Sequence, residues 1–120
     1  MKSKWIEYEG RKILFADYAG FGEDNENLQK EVDYITDICL QEPEKSILLL
    51  VDVRDSGGTN ENVESMKRSA LAVKPHVART AVIGVNGYRR IFLKAVARFS
   101  GMELTPLDTL EEGRTWLVEK

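Results

Sequence analysis

The sequence predicts an α/β domain: a single-layer, mixed but mainly parallel sheet led by a β-hairpin, in the order β-β-α-β-α-β-α-β-α. Three observations carry that expectation. Ile47 to Val53 and Thr80 to Val85 are nearly unbroken apolar runs, as expected of strands covered on both faces. Around them, apolar residues recur at helical spacing. Helices that alternate with strands need crossover connections, and these make the later strands parallel.

Each element has its own signal. Trp5 to Tyr8 and Lys12 to Tyr18, rich in aromatic and β-branched residues about Glu9-Gly10, read as the hairpin. Ala19-Gly20-Phe21-Gly22 is a loop, with Phe21 either exposed or folded back over the core. Asp24 or Asn25 caps a first helix that buries Leu28, Val32, Ile35 and Cys39, and Pro43 closes it. After the central strand, Asn60 to Lys74 turns Val63, Met66, Ala70 and Val73 inward, and Pro75 stops it. The Thr80 to Val85 strand and Asn86-Gly87 lead into a third helix, Tyr88 to Phe99. It is expected to bury Ile91, Phe92, Ala95, Val96 and Phe99, with Gly101 as its left-handed C-cap. Glu103 to Leu107 is a short last strand. Asp108-Thr109-Leu110-Glu111 then opens a final helix in capping-box form, carrying Leu110, Gly113, Trp116 and Leu117. One domain, residues 1–120, accounts for the chain.

Composition narrows the function classes. No apolar run approaches the roughly 20 residues that span a bilayer, so no integral membrane segment is expected. Met1 to Trp5 does not read as a secretory leader. The single cysteine, Cys39, allows neither an internal disulfide nor a cysteine metal site, and a reduced, cytoplasmic setting follows. Residues 61–100 carry eight Lys/Arg against Glu61 and Glu64, a balance of +6, whereas the remainder holds nine basic against eighteen acidic residues, a balance of −9. Such a dipolar chain suits an acidic protein partner or a homodimer, the basic middle meeting Glu31, Asp33 and Asp37 of a second copy.

Arg90, Lys94 and Arg98 are four apart and share one helix face, with Arg89 beside them. They form a candidate basic docking face for protein, or a plain solvated one. A pI near 5.3 and the lack of interleaved aromatics speak against nucleic acid.

The chemistry-bearing stretch is Asp55-Ser56-Gly57-Gly58-Thr59, at the exit of the central strand and the start of the second helix. Backbone N–H groups and the helix dipole converge at such a junction. Its hydroxyls are candidates for phosphorylation, its backbone for cradling an anion, and the alternative is an exposed turn capped by Thr59 or Asn60. Asp52 and Asp55 lack the further acidic pair and the lysine that a receiver-type Mg²⁺ site needs. His76, the sole histidine, reads as an exposed loop residue with no nucleophile beside it. No catalytic residue, metal ligand or cofactor motif emerges, and the chain is expected not to be an enzyme.

The Leu-rich strand feeding an Asp-Ser-Gly loop, the Ala81-Val82-Ile83-Gly84 strand before an amphipathic helix, and the ending Thr109 to Leu117, similar to an "eeA-x-x-WL" closing helix, resemble the STAS domains. The resemblance is to the SpoIIAA-like proteins, which include the anti-sigma factor antagonists. It implies a non-catalytic regulatory module that docks a protein through the Asp55 to Asn60 loop and the second helix. It also implies a switch by phosphorylation of the Ser that follows an Asp, here Ser56 after Asp55. The chain departs from that pattern in having Gly57 where a second Ser stands, and in starting its helix later. Kinship of SpoIIAA-like folds with lipid-binding domains implies the alternative, a carrier of a lipid or small apolar ligand held where helices near Phe92, Phe99 and Trp116 part.

Overall fold

Glu9 and Gly10, both at positive φ, reverse the chain so that Lys4–Tyr8 (β1) lies antiparallel to Arg11–Asp17 (β2), pairing Lys4 with Phe15 and Tyr8 with Arg11. The computed structural model describes residues 1–56 and 58–119. The remaining elements are α1 (Asn25–Leu40), β3 (Ile47–Asp52), α2 (Asn60–Val73), β4 (Val77–Ile83), α3 (Arg89–Ser100), β5 (Thr105–Leu107) and α4 (Leu110–Val118). A 3-10 turn, Lys74–His76, joins α2 to β4. The order is the one the sequence predicts, and the five-stranded sheet is mixed.

Strand order runs β1-β2-β3-β4-β5 in a single direction, with every neighbour after the hairpin parallel. Successive crossovers of the usual hand therefore stack α1, α2 and α3 on one face. The packing agrees, since Leu28 and Val32, Val63 and Ala70, and Val96 join Leu14 and Leu49 in one core cluster. Chain that follows the last strand returns over the other face, where Leu117 of α4 packs with Leu48, Leu50, Ala81 and Ile83. Gly113 lets α4 settle there, because a Cβ would lie 2.7 Å from Leu50 Cδ1. Arg79 stacks 3.9 Å over the Trp116 ring and donates to the Glu119 carbonyl, pinning the end of α4.

Caps follow side-chain chemistry. Asp24, Thr59 and Thr109 each accept the N–H three residues on, from Asn27, Asn62 and Glu112. Gly101 ends α3 in the left-handed conformation.

Three expectations change. Ile91 and Phe99 are 69% and 51% exposed, not buried. The main packing partner of α3 is α2, and its inward arc is centred on Val96 and Ser100, so Phe99 falls on its flank and Ile91 on its outer side. His76 is half-buried, its Nδ1 2.7 Å from the Glu42 carbonyl oxygen, where it ties the loop after α1 to the start of β4. Glu31, expected to face a second copy, is buried inside its own chain, while Asp33 and Asp37 are exposed.

Glu31 anchors the chain start to α1. Its carboxylate accepts from the Lys2 N–H at 2.8 Å, the Ser3 N–H at 3.2 Å and Ser3 Oγ at 2.7 Å, and Ser3 Oγ accepts in turn from the Asp17 N–H. Burial alone would favour the protonated acid, but these hydrogen bonds outweigh it and hold Glu31 below its ordinary pKa of 4.5. A carboxyl depressed by folding stabilises the native state above its unfolded pKa, and that contribution fades as pH falls through the folded value. Glu31→Gln is therefore expected to flatten the acid limb of the stability–pH curve below about pH 5. Urea midpoints measured from pH 7 to pH 3 test it, and parallel curves for wild type and variant would refute it.

Cys39 lies wholly inside the core, where burial pushes its thiol up to about 12. It is packing, not chemistry.

Candidate functional site

Loops leaving β2, β3 and β4 meet at the C-terminal edge of the sheet. Asp52, almost fully buried at the end of β3, accepts from the Arg54 N–H, from Arg54 Nε through both oxygens, and from Arg54 Nη2 at 2.7 Å. Those hydrogen bonds, and then the carboxylate charge, hold the Arg54 guanidinium above its ordinary pKa. The pair turns the chain sharply, with Asp55 at φ +57°. Committed in this way, Asp52 is not available to a cation, and no group of three or more His, Cys, Asp or Glu side chains suited to a metal occurs among the described residues.

Ser56 then runs beside Gly22 in a bridge between the loops. Its side chain is 2% exposed and accepts the Phe21 N–H at 2.6 Å, while Gly22 N–H donates to the Asp55 carbonyl. Phe21 folds back, half-buried, with the Lys2 ammonium 4.4 Å above its ring. In this arrangement the Ser56 hydroxyl is closed to any enzyme unless the 19–22 loop lifts away. Thr59 is half-buried and spends its Oγ1 on the α2 cap. Gly58 packs under Tyr88, where a Cβ would come within 2.9 Å of the ring. Gly57 lies outside the described residues.

The sequence-predicted groups divide. Arg89 joins the loop, its Nε donating to the Ser56 carbonyl at 3.4 Å. Arg90, Lys94 and Arg98 face outward and are exposed, and no carboxylate pairs with them among the described residues. The loop and the basic face are therefore two places, with Arg89 belonging to the first.

Between the α2/α3 pair and the sheet lies a cavity of about 120 Å³. Its walls are overwhelmingly apolar: Leu49, Val51 and Val82 from the sheet, Val63 and Met66 from α2, Phe92 and Val96 from α3, and Met102 and Leu104 beyond. Ser56, Gly58, Asn62 and Arg89 line it too, and these gather where the strands end and the helices begin. Doubly wound sheets bind ligands where neighbouring crossovers diverge to opposite faces. Here α1 to α3 share one face, and the space falls between the helical layer and the sheet.

One polar atom is stranded in this wall. Thr80, 2% exposed in the middle of β4, lines the cavity, and its Oγ1 has no hydrogen-bond partner among the described residues. Buried hydroxyls are nearly always paired, because leaving one unsatisfied costs about 1–3 kcal/mol. In the sequence Thr80 is simply the first residue of an apolar strand. The only available signal was a polar atom opening an otherwise apolar run.

The fold and the site together define an α/β domain with a partly open apolar cavity between its helical layer and its sheet. Comparison with family models, curated proteins and solved structures gives no match for this chain. Among the described residues, no helix is long and apolar enough to cross a membrane.

Proposed function

We propose that this chain is a non-catalytic binding protein for a small, largely apolar molecule bearing one hydrogen-bonding atom. The observation that carries this reading is the unpartnered Thr80 hydroxyl in the apolar cavity under α2 and α3. Closed cavities near 150 Å³ lined by aliphatic side chains take up benzene, so about 120 Å³ that is partly open to solvent suits a chain of about six or seven heavy atoms, with any further group reaching the rim. The apolar wall supplies affinity, and Thr80 would select a ligand that offers it a polar partner. The resemblance to SpoIIAA-like proteins also implies a carrier, expected near Phe92, Phe99 and Trp116; of these Phe92 lines the cavity, Phe99 is exposed and Trp116 packs on the other face of the sheet.

Methionine methyls give a direct test with 2-hexanone, a short apolar chain with one carbonyl acceptor. Met66 and Met102 line the cavity, while Met1 is 69% exposed and serves as an internal control. Titration is expected to move the Met66 and Met102 methyl resonances saturably, with Kd on the order of 1 mM, and to leave Met1 in place. Unsaturable shifts, or shifts shared by Met1, would sink the reading.

A second reading, protein docking of SpoIIAA-like/STAS type, is favoured by one feature. On α3 the exposed Ile91 and Phe99, with Tyr88 at its N-terminal boundary, stand beside the unpaired Arg90, Lys94 and Arg98. Exposed aromatic and basic side chains in one place are typical of protein contact surfaces. A phosphorylation switch would use Thr59, or Ser56 after loop opening.

A further inference from the structure

The cavity has a charged rim that an apolar ligand alone would leave unused. Arg89, the first residue of α3, is half-buried and lines the cavity. Among the described residues its side chain makes one hydrogen bond, the long 3.4 Å contact from Nε to the Ser56 carbonyl, and its guanidinium lies 5.5 Å from the Tyr88 ring centre. No carboxylate lies within ion-pair distance of it among the described residues. The remaining guanidinium N–H groups, four in all by the chemistry of the side chain, have the planar fork geometry that matches a carboxylate. The N-terminus of α2 opens at the same rim, since Gly58 and Asn62 line the cavity there, and its dipole adds to the positive potential.

A half-desolvated cation facing an apolar chamber gains most from an anion brought in by the ligand itself. We infer that the ligand is a small organic carboxylate, its acid group held by Arg89 at the rim and an oxygen further along its chain meeting Thr80. The inference rests on the cavity reading above and sharpens it from an apolar molecule to an oxo- or hydroxy-acid. The two polar contacts sit at different depths, because Arg89 begins α3 at the strand-end edge while Thr80 is in mid-strand. A ligand with polar groups at both positions therefore binds in one direction only.

Two probes isolate the carboxylate. 5-Oxohexanoate is 2-hexanone with its terminal methyl replaced by a carboxylate, and calorimetric titration of both gives the ratio of their affinities. On the wild-type protein, 5-oxohexanoate is expected to bind about tenfold or more tightly than 2-hexanone, in keeping with a charge-assisted hydrogen bond. Arg89→Met should collapse that ratio to near one, and Arg89→Lys should restore only part of it, since the charge returns without the fork. Should the methionine variant fail to fold, the lysine variant and the fall of the ratio in 0.5 M salt carry the test. Equal affinities on the wild type, or an unchanged ratio in the variants, would overturn the carboxylate inference while leaving the cavity reading intact. Failure of both compounds to bind would overturn the two together.

Discussion

Gly84→Ala is expected to destabilise the protein by about 3 kcal/mol, from backbone strain and steric overlap of comparable size. Tm should fall by roughly 10 °C or more for a chain of this length. Gly84 follows β4 at φ +91°, a conformation that costs an L side chain energy by itself. An added Cβ would also lie 2.6 Å from Arg54 Cγ, 2.9 Å from Arg54 N and 3.1 Å from Arg54 Cα. The side-chain atom could swing aside, but the backbone atoms cannot. Arg54 N–H is bound to Asp52, Arg54 carbonyl accepts from Gly20, and Val53 N–H donates to Ile83 just before the glycine. Relieving the overlap would pull the exits of β3 and β4 apart and disturb all three loops at the cavity rim. Thermal and urea unfolding check this directly, and a Tm within about 2 °C of wild type would refute it.

How much of this was legible in the sequence depended on which physical signal each part sends. The strands and helices came through because an apolar period needs no knowledge of the partner. Leu28, Val32, Ile35 and Cys39 mark the buried face of α1 whatever covers it. The caps came through because Asp24 and Thr59 act locally. For α3 the same period misled. Ile91 and Phe99 look inward by spacing, but the helix leans on α2 and spans a cavity, so its apolar arc is wider than the surface available to bury it. Periodicity reports an amphipathic helix without reporting what lies beneath.

Polar interiors were less visible still. Asn62 Nδ2 donates to Asn25 Oδ1 at 2.8 Å, Ser65 bonds Gln29, and Thr36 and Ser69 share a hydroxyl contact at 2.6 Å, forming a polar seam between α1 and α2. Each residue reads singly as surface, and only pairing across two helices makes burial affordable. Ser56 shows the opposite error. An Asp-Ser-Gly loop suggests an accessible hydroxyl, yet Phe21, 35 residues away in the chain, supplies the N–H that draws Ser56 inward. The resemblance to SpoIIAA-like domains pointed to the Asp55 to Asn60 loop. It could not show that Arg89 comes to that loop while Arg90, Lys94 and Arg98 do not.

Thr80→Val is expected to stabilise the ligand-free protein by about 1–2 kcal/mol, raising Tm by roughly 4–10 °C, while weakening 2-hexanone about three- to tenfold. Valine has the shape of threonine and keeps the β-branch that suits a strand. The neighbouring Leu49 and Val82 offer the hydroxyl nothing to bond, so its removal relieves a cost and leaves packing unchanged. An ordered water would need two or more polar partners in that wall to cancel the gain. Most buried substitutions destabilise, so a variant that gains stability and loses affinity is diagnostic. It would mean that the hydroxyl is held at a cost to folding because the ligand uses it. Stabilisation with unchanged affinity would leave Thr80 as a packing flaw and separate it from the binding site. Destabilisation would show that Oγ1 finds a partner in solution, and the case for a polar ligand atom at that depth would fall with it.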